Sequence, residues 1–145
     1  MDLLVFIALI VTGFVACAEF GSYAFVHPVL RRLQPPERLA VEQGLLKTFG
    51  RVMPIGMTAS LVLAITVASK GGSSSWSWPA VAAFGTALIF TLIVNVPINR
   101  ATGHWDTDDP PPGWERARNR WEYFQGVRSW LLLVGFVLVC AAATA

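Results

Sequence analysis

The chain has 145 residues, of which 54% are hydrophobic and 14% charged, and its mean hydropathy is +0.56, a balance foreign to water-soluble domains. Four uncharged runs, Leu3–Ala18, Val52–Ser69, Gly71–Asn99 and Ser129–Ala145, hold 16, 18, 29 and 17 residues; with flanking residues each approaches the roughly 20 apolar residues of a membrane-spanning helix, and no length remains for a separate soluble domain. The net charge of +2 is not gathered on one face, which argues against nucleic acid as a partner, and neither a GxGxxG nor a P-loop occurs.

These runs predict an all-α fold, an integral membrane four-helix bundle forming one domain over 1–145, with spans at about 3–27, 38–69, 79–100 and 114–144. No Lys or Arg precedes Arg31, so the first run lacks the positive n-region of a signal peptide and is expected to stay as a span. Cys17 is expected in bundle packing. Pro28 ends or kinks span one, because proline removes a helix hydrogen bond and clashes with the preceding turn. Span two is expected to start early, near Glu37, with amphipathic first turns, and to bend at Pro54. A short loop from Lys70 to Pro79 carries Trp76 and Trp78, residues suited to a membrane interface. Span three ends near Asn99, loosened by Pro97. The stretch Gly103 to Gly113, with Asp106, Asp108, Asp109 and Pro110 to Pro112, reads as a stiff loop. Span four is highly charged for its first turns and then apolar to Ala145.

Ten of the eleven Lys and Arg residues fall in or beside the connections between spans one and two and between spans three and four, leaving Lys70 alone on the other side. Positively charged loops stay cytoplasmic. Both the N-terminus and the C-terminus are therefore expected outside, in a multi-pass protein of a bacterial cytoplasmic (inner) membrane.

Polar groups at membrane depth are costly and are the first functional candidates. Glu19, Tyr23 and His27 recur every fourth residue along span one, one stripe descending toward the arginine-rich end. Asn95 and Asn99 flank Pro97 on span three, where amides can bind a ligand or bridge helices. On span four Trp114, Arg118, Trp121, Gln125 and Arg128 form a heptad-like face, with cations where a packing seam carries Leu or Ala. Such a face suits a planar or anionic ligand, or arginines that answer Glu19 and Glu42. Arg116 lies on another face and is expected to be solvated. His27, His104 and Glu42 are candidates for a mixed histidine and carboxylate metal site. No HExxH, paired CxxC or GxSxG occurs, so a zincin, a four-cysteine zinc site and an α/β-hydrolase lack support.

Asn95-x-Pro97-x-Asn99 closing span three, Trp114 and Arg120-Trp121 opening span four, and Val127-Arg128 beyond them resemble the family of small four-helix membrane proteins that includes the anthrone oxygenases. His27-Pro28-x-Leu30 before a basic segment and Phe49-x-Arg51-x-Met53-Pro54 are similar to its first two spans, so the resemblance covers almost the whole chain. It implies oxidation of an activated polycyclic phenol to a quinone by dioxygen without a tightly held organic cofactor. It also implies a site of Asn95, Asn99, Trp121 and Arg128, with Gln125 or Gly126 standing where many relatives have a histidine or an Asn-His pair. If that histidine is the general base, this chain uses Glu19 or His27 instead, or catalyses something else, or has lost catalysis.

The first reading is an oxidoreductase of this type with Glu19, His27 and Arg128 catalytic and Tyr23, Asn95, Asn99, Trp121, Gln125 and Arg118 binding the substrate. A non-catalytic membrane subunit binding a partner helix, lipid or quinone is the second. The third is a metal or haem protein using His27 and His104. The expected cofactor is none or a bound metal ion; the expected partners are membrane lipid, a small apolar metabolite and a second copy of the chain in a homo-oligomer.

Overall fold

A computed structural model of the chain describes residues 2–70 and 75–145; residues 71–74 of the expected outer loop lie outside the described residues. Among the described residues four helical segments are long and apolar enough to cross a membrane: Leu3–Leu30, Phe49–Ser69, Ser77–Thr102 and Trp114–Thr144. Their outward faces are apolar, with Leu3, Phe25, Ile55 and Ile93 each more than two-thirds exposed. Such a surface is foreign to a water-soluble monomer and ordinary in hydrocarbon. The protein is a multi-pass membrane protein.

Helix α1 (Leu3–Gly21) starts at Asp2, whose Oδ1 accepts the Leu4 N–H at 3.1 Å, and buries Ala8, Thr12, Val15, Ala16 and Glu19. That inward stripe leaves Cys17 exposed, so it faces outward and not into the bundle packing. The segment Ser22–Val26 is a wider, π-helical turn in which the His27 N–H donates to the Ser22 carbonyl, and α2 (His27–Leu30) comes next. Span one thus passes Pro28 without ending: the turn before the proline widens. The same device recurs in span three, where α5 (Ser77–Phe90) leads into a π turn at Thr91–Asn95, with the Val96 N–H bonded to the Thr91 carbonyl, and then α6 (Val96–Thr102) with Pro97. Turns of this kind gather at functional sites.

The expected single span two is divided. Helix α3 (Pro35–Lys47) opens on two prolines, α4 (Phe49–Ser69) crosses the bundle, and Thr48 between them has φ −109° and ψ −81°, outside helical geometry. Helix α7 runs unbroken from Trp114 to Thr144; it starts after Gly113, whose φ of +82° is open to glycine and strained for other residues.

Helices α1, α4, α5 and α7 form a closed ring in which each packs on the next. The half near the C-terminal end of α7 is apolar, built from Val15, Ala16, Met57, Ala64, Ala80, Phe84, Ala87, Leu132 and Val139. Small side chains there let the backbones approach. Hydroxyls fold back on their own helices, Thr12 onto the Ala8 carbonyl at 2.6 Å and Ser60 onto Gly56 at 2.9 Å, which satisfies them without water.

Candidate functional site

The polar residues collect in the opposite half, where the two π turns, α3 and the first four turns of α7 meet. Deepest is Glu19, which is fully buried. Arg128 Nη2 donates to both carboxylate oxygens, at 3.1 and 3.0 Å, and Gln125 Nε2 donates to Oε2 at 2.7 Å. Arg128 Nη1 also donates to Thr91 Oγ1 at 3.1 Å, and Ser129 Oγ to the Glu19 carbonyl at 3.2 Å. Glu19 therefore meets the cation expected of it, and meets it with hydrogen bonds, which a buried charge requires.

Nearer the arginine-rich end, charges alternate in a chain. Arg31 Nε lies 2.7 Å from Glu122 Oε2, Arg38 Nη2 3.1 Å from Glu122 Oε1, Arg38 Nε 3.0 Å from Glu42 Oε1 and Arg118 Nε 2.7 Å from Glu42 Oε2. The last contact is an ion pair between two side chains each 1% exposed. Arg118 is 1% exposed and its guanidinium sits 4.3 Å above the Trp121 ring, a cation–π contact. The His27 ring lies 5.0 Å from Trp121, and its Nδ1 lies 3.9 Å from Glu122 Oε1, beyond hydrogen-bond reach.

Between the two clusters is a cavity walled by Ser22, His27, Glu42, Met53, Thr91, Asn99, Arg118, Trp121 and Arg128, among others. Its empty space, open mouth included, is about 530 Å³, but the centre of a water-sized body has only about 40 Å³. That holds a few waters, so a fused-ring ligand needs wall side chains to move. Four wall groups, Arg128 Nε, Trp121 Nε1, Asn99 Oδ1 and His27 Nδ1, have no hydrogen-bond partner among the described residues. Buried polar atoms are rarely left so; each of the four has almost no accessible surface of its own, so a ligand reaches them only when the wall side chains move. Pro54 on the same wall has no N–H for the Gly50 carbonyl beside it.

Glu19, Gln125 and Arg128 are thus joined in one cluster, and His27, Glu42, Arg118 and Trp121 in the other, with Asn99 on the cavity wall. Asn95 is buried and its Nδ2 donates to the Trp121 carbonyl at 3.2 Å, a bridge between spans three and four. Tyr23 is not on the cavity wall; its ring packs against Gly126 and 6.4 Å from Phe20. The metal trio is not gathered: His104 is exposed with Nδ1 2.7 Å from the Arg100 carbonyl, and both Glu42 oxygens face arginines. Among the described residues no three His, Cys, Asp or Glu side chains converge as a ligand set. Arg116 is exposed, in keeping with the solvated face expected of it.

Arg38, Glu122 and Thr91 belong to the site and are absent from the sequence-based set. A signal existed for two of them: Arg38 stands four residues before Glu42, and Glu122 four after Arg118, the spacing of side chains that meet on a helix.

Gly126 explains part of the departure from the resemblance. A Cβ there would lie 2.7 Å from Tyr23 Cε2, so a histidine at 126 requires the Tyr23 ring to shift. Gly126→Ala is expected to destabilise the bundle by about 1–3 kcal/mol through overpacking, and adding Tyr23→Ala should relieve much of that cost. Thermal unfolding of the three variants in detergent measures both steps; a Gly126→Ala protein as stable as the parent would count against this packing.

No curated protein and no solved structure matches the chain. The sequence profile described as anthrone oxygenase matches residues 44–138, more than half of the chain, covering α4 to α6 whole and most of α7. The chain belongs to the anthrone oxygenase family.

Proposed function

We propose that the protein is a membrane-embedded oxidoreductase that uses dioxygen to oxidise an apolar aromatic metabolite, with the arginine-rich end of its bundle in the cytoplasm. The observation that carries this reading is the set of unpartnered donors and acceptors on residues that wall one cavity, His27 and Arg128 among them. Convergent polar groups in an otherwise apolar pocket are the usual mark of a ligand site.

The chemistry suits a ring system with an activated methylene beside a carbonyl or phenol. The Arg128 and Trp121 N–H groups would donate to the substrate oxygen, and Asn99 Oδ1 would accept a neighbouring hydroxyl. His27 is the base of choice for the methylene proton, since both Glu19 oxygens already accept hydrogen bonds. A guanidinium in a site shielded from water stabilises the resulting anion far more than water-exposed arginine could. The electron-rich anion then reacts with dioxygen. The methylene loses two hydrogens and gains one oxygen atom as a carbonyl, and the second oxygen atom leaves with both hydrogens as water.

Oxygen uptake by purified protein supplied with anthrone tests this. We expect one dioxygen consumed per quinone formed, faster than the uncatalysed oxidation, and a loss of about 10²–10⁴-fold in His27→Ala. Uptake no faster than with heat-denatured protein would contradict it. The competing reading, a non-catalytic subunit locked by ion pairs, is favoured by the small room in the cavity and predicts that second result.

A further inference from the structure

We infer that the apolar groove between α1 and α4 is the port through which a neutral, lipid-soluble aromatic molecule passes from the bilayer into the cavity, with Met53 as the movable wall. This rests on the ligand-binding reading of the cavity and specifies how its ligand arrives. The groove is lined by Ile10, Phe14 and Val15 from α1 and by Val52, Ile55 and Gly56 from α4, and also by Met53. Met53 is at the same time a wall of the buried cavity, and is itself 4% exposed. Met53 is therefore the residue that the groove and the cavity share.

The lining selects the occupant. Ile10, Phe14, Val52 and Ile55 are all more than half exposed on a surface that the four spans turn to hydrocarbon, and all the groove residues are apolar. A charged or water-bound ligand finds nothing there, whereas a neutral fused-ring molecule already dissolved in the bilayer does. Along the groove the two helices come close, since Val15 Cγ2 stands 2.8 Å from where a Cβ on Gly56 would be.

Two features make Met53 the part that yields. Its thioether chain is unbranched and turns about three bonds, so it repacks more readily than a branched or aromatic residue. Pro54 is its neighbour in the chain, and the missing bond to the Gly50 carbonyl loosens the turn that carries Met53. The tightness of the cavity gives the movement a purpose, because no fused ring enters without it.

The experiment measures loading by stopped-flow quenching of tryptophan fluorescence in proteoliposomes. The probes are 1-hydroxyanthraquinone delivered from vesicles and anthraquinone-2-sulfonate delivered from water. In Val52→Phe/Ile55→Phe, both on exposed positions that folding tolerates, loading of the vesicle-borne probe should slow by about tenfold with its equilibrium affinity kept, and loading of the sulfonate should be unchanged. Met53→Ala should speed the vesicle-borne probe. Equal loading rates in the parent and both variants at normal affinity would overturn the port and leave the cavity reading standing. Equal slowing of the two probes would also overturn the port. Failure of the parent to bind either probe would overturn both.

Discussion

Arg128→Leu should cost the folded bundle about 3–5 kcal/mol, the penalty of leaving one member of a buried ion pair alone. The stranded group would be Glu19, fully buried and left with the Gln125 amide on its carboxylate. Arg116→Leu, on an exposed turn of the same helix, should change stability by less than about 0.5 kcal/mol. Removing both partners is a different matter, because two apolar side chains of similar volume leave no charge to compensate. Glu19→Leu with Arg128→Leu should therefore recover most of the loss, and reversible unfolding of the two single variants and the double reads the coupling directly. Additive single effects would mean the pair contributes little as a pair.

Glu42→Leu is expected to have the second largest effect, again about 3–5 kcal/mol, since Arg118 would keep its burial and lose the carboxylate beside it. Glu122→Leu should cost less, about 1–3 kcal/mol, although Glu122 has more ionic contacts. Of its arginines, Arg31 is about half exposed and can turn to water, and Arg38 keeps Glu42. Ranking the two variants by thermal unfolding checks the direction of the charge chain, and a Glu122 variant less stable than the Glu42 variant would reverse it.

The four spans are legible because charge is excluded from them and because a helix needs a fixed length to cross hydrocarbon. The meeting of Glu19 and Arg128 is legible for a related reason: an acid at that depth must find a cation, and few were available. The break at Thr48 is not, since Thr48 is neither proline nor glycine and the nearby Gly44 and Gly50 lie inside α3 and α4. Pro28 and Pro97 are visible in the sequence, but that each helix continues by widening the preceding turn is a property of the packed backbone. The extra residue in that turn also rotates the helix beyond it. Tyr23, inside that turn and on one stripe with Glu19 and His27 by simple spacing, comes to rest on Gly126, while His27, beyond it, reaches the cavity. Arg38 and Glu122 carry only the four-residue spacing to Glu42 and Arg118 as a signal, and charges beside a span otherwise read as solvated; here they pair with each other inside the protein. His104 has the chemistry of a ligand, but its ring is taken up by a carbonyl one turn away.

If the Glu19–Arg128 end of the cavity takes part in the reaction and is more than a lock between helices, its removal must abolish turnover in a bundle that still folds. Oxygen uptake with anthrone by the Glu19→Leu/Arg128→Leu double variant, at matched amounts of folded protein, tests this most directly. The expected result is a rate reduced to that of the uncatalysed oxidation, while Arg116→Leu keeps the parent rate. A folded double variant that turns over as fast as the parent would contradict it.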